Sequence, residues 1–116
     1  MAKRKARRQR EPLRTVDYRD PEGNVLTLRE SLSAGTIRQV KQAPGGEASS
    51  VEDAWRRRTE LLFERLTVRW EIAGLPLDDQ KLLLGRYRMA DQATQDWVRA
   101  TLAAHLERYI PELHER

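Results

Sequence analysis

Two short apolar arms flank the tetrapeptide Asp20-Pro21-Glu22-Gly23, which commits the start of the chain to a β-hairpin. Aspartate suits the first turn position, proline presets φ at the second, and glycine takes the left-handed conformation that closes the turn. On the first arm Val16 and Tyr18 alternate with polar neighbours; Val25, Leu26, Thr27 and Leu28 form the second. The hairpin reads as Thr15–Glu30. An isolated hairpin is marginal in water, so its apolar face must rest on other elements. Those elements read as helices.

Ser33–Gln42 is a short helix, with Ser33 or Thr36 as its cap and Ile37 and Val40 as an apolar pair. Residues 43–50, rich in Pro, Gly and Ser, read as a loop. Val51–Trp70 reads as one long helix. Ser49 with Glu52, or Ser50 with Asp53, supplies a capping box. Trp55, Thr59, Leu62, Leu66 and Trp70 then fall on one stripe, widened by Leu61, Phe63 and Val68. The run Arg56-Arg57-Arg58, with Glu60 and Glu64 close by, reads as a solvated helix face rather than a phosphate site. Gly74 suits a helix C-cap and Pro76 breaks the ladder. Asp78 or Asp79 starts a short helix through Leu82, Leu83, Leu84 and Tyr87. Asp91 caps the last helix, Gln92–Leu113, which Pro111 frays or ends. Trp97, Val98, Thr101, Leu102, His105, Leu106, Tyr109 and Leu113 give it an apolar side. The expected fold is mainly α: an N-terminal β-hairpin packed on a small bundle of three to four helices, forming a single domain over residues 15–116.

Residues 1–14 differ in kind. They hold seven bases against one acid, a charge of +6, while the remaining 15 bases and 17 acids leave the body at −2. Self-repulsion and lack of apolar content predict a disordered basic tail. The pI near 9.8 therefore reflects the tail. A folded DNA-reading surface would carry a basic face of its own. At 39% hydrophobic residues the chain is lean in apolar content, which points to stabilisation by a partner or by self-association.

The chain has no cysteine, so disulfides and thiolate metal sites are excluded. No apolar run approaches the roughly 20 residues that span a bilayer, and no apolar segment follows the basic start as in a secretory signal. A soluble cytoplasmic protein is expected, without membrane contact.

No motif carries chemistry. HExxH, GxSxG, a P-loop and GxGxxG are all missing, as are zinc-type and calcium-type ligand patterns. His105 lies on the apolar side of a helix and reads as structural; His114 has no partner predictable from spacing. Asp78 and Asp79 serve as caps, since paired catalytic carboxylates need differently tuned environments. Trp55, Phe63, Trp70 and Trp97 are expected in the core, and Tyr18, Tyr87 and Tyr109 are expected to keep an exposed edge. Leu77–Leu106 offers two helices joined by a turn, but Asp91, Asp96 and Glu107 would repel phosphate from a recognition helix. The expectation is a non-enzymatic protein without metal or cofactor.

Taken in order, the segments resemble the tail assembly chaperones of long-tailed, siphovirus-type bacteriophages. The stretch Val25–Gly35 (VLTLRESLSAG) resembles their opening, and Leu66–Trp70 (LTVRW) followed by Leu75-Pro76-Leu77 is similar to their mid-chain tryptophan and "PL" segment. The resemblance covers Val16–Leu113 and does not include the basic extension. It implies a small helical protein of the host cytoplasm that binds the tape measure protein, recruits tail tube protein and leaves before the virion matures. It leaves room for a homo-oligomer. The partner-binding surface expected on this reading joins the stripe of Val51–Trp70 to the outer side of the last helix, through Trp55, Leu62, Leu66, Trp70, Trp97 and Tyr109. The competing reading is that both stripes are consumed by the core. Two other functions are open: a nucleic-acid-associated protein holding phosphate through Lys3, Arg4, Lys5, Arg7, Arg8 and Arg10, and a structural virion component.

Overall fold

A computed structural model describes residues 14–42 and 51–114. The expected basic tail up to residue 13 and the expected loop at 43–50 lie outside them. Strands β1 (Thr15–Arg19) and β2 (Val25–Arg29) lead into helices α1 (Ala34–Gln42) and α2 (Val51–Leu66). Strands β3 (Thr67–Ile72) and β4 (Leu75–Leu77) follow, then α3 (Gln80–Met89), α4 (Gln92–Tyr109) and a 3-10 turn at Pro111–Leu113. The chain is mainly α among the described residues, and the four strands form one antiparallel sheet in the order β1-β2-β3-β4.

The first turn matches its sequence signature. Gly23 sits at φ 89° and its N–H donates to the Asp20 carbonyl, while the Asp20 N–H donates to the Asn24 carbonyl. This is a three-residue loop closed by a left-handed glycine. The Asp20 carboxylate accepts from the N–H groups of Glu22 and Asn24 at 2.8 and 2.9 Å, and so rigidifies the loop.

Two sequence expectations are corrected by the second hairpin. The helix does not run to Trp70; it ends at Leu66, and Thr67–Ile72 is a strand. The β-branched residues Thr67, Val68 and Ile72 favour the pleat over continued helix. Gly74, read as a helix C-cap, instead forms a two-residue turn with Ala73 (φ 79° and 53°), which returns the chain into β4. The N-terminal hairpin is therefore half of a sheet and not a lone ribbon on a helix bundle. Val68 is a bulge: Thr27 faces Arg69 but Leu28 faces Thr67. The Ala73 N–H donates to the Asn24 side chain at 3.0 Å, tying the two turns together.

Register places Tyr18, Leu26, Trp70 and Leu77 in one row across all four strands. That row faces the helices. Leu26 and Leu28 join Phe63 and Leu66 of α2, Leu83 and Tyr87 of α3, and Val98, Leu102 and Leu106 of α4 in a single core. Phe63 is its hub, edge-on to Trp70 at 5.8 Å and stacked on Tyr87 at 5.1 Å. Aromatic pairs of this kind contribute about 0.5–1.5 kcal/mol beyond their burial. Tyr87 is thus buried, contrary to the exposed edge expected for it. Among the described residues Trp70 Nε1 and Thr67 Oγ1 are buried without a hydrogen-bond partner, so Trp70 contributes through packing and through the Arg86 guanidinium 6.0 Å from its ring centroid.

Helix starts follow their caps. Ser33 Oγ accepts from the Thr36 N–H at 3.1 Å, Asp79 from Lys81 and Leu82, and Asp91 from Thr94 at 2.8 Å. The Thr94 hydrogen bond also holds the Asp91 carboxyl below its usual range. α4 stops at Tyr109, one residue before Ile110 and the turn that Pro111 begins.

Candidate docking groove

Helices α2 and α4 do not close against each other along their whole length. Between them lies a groove of about 220 Å³. Leu62, Leu102, Leu106 and Leu113 form its floor, and Ala103 adds a small exposed position on α4. Arg58 stands at one wall and donates to the Leu113 carbonyl at 2.7 Å, so the C-terminal turn is fastened to α2. His114 lies at the same end.

Trp55 forms the ridge of this groove. It is 48% exposed, against the core position expected for it. The Arg99 guanidinium lies over its ring at 5.0 Å and is itself paired with Asp96. At an exposed site such a contact is worth about 0.5–1 kcal/mol, enough to orient an indole and too little to hide it. On the other side of Trp55 a second recess is polar, lined by Arg56, Tyr87, Gln92, Gln95 and Arg99. Gln95 is held there by donating to the Tyr87 carbonyl at 3.0 Å. Burial pushes the Tyr87 phenol up, opposed by its hydrogen bond with Arg99.

The six residues expected at a partner surface are distributed unevenly. Leu66 and Trp70 are sealed in the core, 0% and 1% exposed. Leu62 shows only its edge in the groove floor. Trp97 and Tyr109 are half-buried and pack against the core from α4. Trp55 alone of the six is open. The structure brings Trp55 and Leu62 together in one groove, and adds Leu102, Leu106 and Leu113 from the apolar side of the last helix and its following turn. All three are at most 3% exposed and belong to the core, so they offer the groove only their edges.

His105 is not part of the groove. It is fully buried between β1, β2 and α4. Its Nε2 lies 2.8 Å from the Arg29 carbonyl, which can only accept, so Nε2 carries the proton. Nδ1 then accepts from the Tyr18 hydroxyl at 2.6 Å. Burial pulls the imidazole below its usual pKa, and hydrogen bonds to the backbone of Arg29 and Glu30 offset this in part. Burial likewise raises the Tyr18 phenol. A sealed, neutral, fully partnered imidazole has no access to a substrate.

Among the described residues no group of three or more His, Asp or Glu is placed to hold a metal ion, and no helix is long and apolar enough to cross a membrane. No family model, curated protein or solved structure matches this chain.

Proposed function

We propose that the protein binds other polypeptides through the α2–α4 groove, and that it is a phage tail assembly chaperone for the tape measure protein and tail tube subunits, without catalysis. The observation that carries this reading is Trp55: a large aromatic, half exposed, oriented by Arg99 at the lip of a leucine-floored groove. Grooves of this shape take the apolar side of a helix, and an aromatic that the bound helix covers completely can carry a large share of the binding energy. Chaperoning a long chain needs many weak contacts of this type, not one tight one. The localisation that goes with the reading is the host cytoplasm.

The test is co-expression with a phage tape measure protein. The wild type should co-purify with it and be missing from purified virions. Presence in virions would instead support a structural component. Deleting residues 1–10 should leave co-purification intact. If a salt-sensitive nucleic-acid shift is the main activity and that deletion abolishes it, the basic-arm reading replaces this one.

A further inference from the structure

The sheet has two edges of different chemistry. β4 is three residues long with Pro76 at its centre. Ile72 faces Leu75 around the two-residue turn, and Trp70 faces Leu77. Those closing pairs exchange the ladder bonds, so the nitrogen of Pro76 between them turns outward. Proline has no N–H to offer there, and this edge is blocked at its middle position.

Among the described residues the β1 edge is open. The Asp20 N–H donates to the Asn24 carbonyl at 2.9 Å, and the Glu30 N–H to the Arg14 carbonyl at 2.8 Å. These bonds set the phase of the ladder: Val16 and Tyr18 turn their backbone groups toward β2, and Thr15, Asp17 and Arg19 turn theirs away. All three of the latter are exposed, and none is proline. The edge therefore presents three outward N–H groups and three outward carbonyls.

Its side chains are self-complementary. If two copies of β1 pair antiparallel about Tyr18, Asp17 stands opposite Arg19 of the second copy, and Arg19 opposite its Asp17. Opposed residues share one face of a sheet, so both carboxylate–guanidinium pairs can form. Pairing about Asp17 instead sets Asp17 against itself. We propose that the β1 edge is a homodimer interface, joining two four-stranded sheets into one through the Asp17–Arg19 register.

Sedimentation velocity over a range of concentrations tests this on the full chain. The wild type should dimerise. Asp17→Arg and Arg19→Asp should each weaken self-association about tenfold or more, by opposing like charges. The double variant D17R/R19D should regain it. Asp17→Pro removes an outward N–H while sparing the β1–β2 ladder, and should be monomeric with an unchanged circular dichroism spectrum. A monomeric wild type at every concentration, dimerisation unaffected in the Asp17→Pro variant, or a double variant as weak as the singles would each overturn the proposal. None of these outcomes bears on the α2–α4 groove, which lies on other elements.

Discussion

The Tyr18 hydroxyl donates to Nδ1 of His105 at 2.6 Å, joining residues 87 positions apart in sequence. With the bond from Nε2–H to the Arg29 carbonyl, one ring fastens both strands of the first hairpin to α4. Tyr109 covers the ring from the helix side at a centroid distance of 4.8 Å. The latch requires a neutral imidazole, because a protonated Nδ1 cannot accept from Tyr18.

Stability should therefore depend on pH with a definite sign. The folded-state pKa of His105 is lowered, while the unfolded chain takes up a proton near about 6.5. Between the two values the unfolded state binds more protons, so stability is complete above the unfolded pKa and falls as pH drops below it. Urea denaturation from pH 8 to pH 5 should show a loss of up to about 1.4 kcal/mol per pH unit from this group. Tyr18→Phe should cost about 1–3 kcal/mol at pH 7.5, by leaving Nδ1 unpaired. The double variant Tyr18→Phe/His105→Phe should flatten the pH slope.

Trp70 and Trp55 should separate cleanly in a stability experiment. Trp70→Ala removes the wall of the Phe63 cluster and should cost about 3–5 kcal/mol by chemical denaturation. Trp70→Phe removes an unpaired buried N–H together with some volume, so it should cost far less. Trp55→Ala should cost less than about 1 kcal/mol, since only a half-exposed ring and one cation–π contact are lost.

The second hairpin carries a removable strain. Ala73 holds φ at 53°, a conformation that costs a non-glycine residue about 1–2 kcal/mol. Ala73→Asn creates the preferred Asn-Gly pair of this turn and should raise stability by about 0.5–1 kcal/mol. Gly74→Ala should lower it through the backbone alone, because an added Cβ there meets no atom within 4 Å. Thermal unfolding of the two variants reads both effects.

These contrasts show where the fold was legible. The first turn, the Ser33, Asp79 and Asp91 caps and the stop at Pro111 are each set by a few adjacent residues, and local chemistry determined them. The α2–β3 boundary was hidden by a coincidence of periods. Leu62, Leu66 and Trp70 are four apart and read as one helical stripe, but Trp70 and Ile72 also alternate as strand residues do. Gly74 gave no help, because a left-handed glycine suits a helix C-cap and a hairpin turn alike. Once Trp70 moves into the sheet, it packs edge-on to Phe63. Tyr87 stacks on the same ring and is buried. Trp55, at the far end of α2, projects over the groove. Its exposure follows from the position of α4, which the residues around Trp55 do not encode.

On the proposed function, Trp55 and the leucine-floored groove receive a partner helix. The direct measurement is the affinity of purified tape measure fragments for the wild type and for Trp55→Glu, read by calorimetry. Circular dichroism and denaturation on both proteins confirm equal folding. The wild type should bind, and Trp55→Glu should bind at least about tenfold more weakly at unchanged stability. Equal binding by the two proteins, or none by either, would contradict the proposed function.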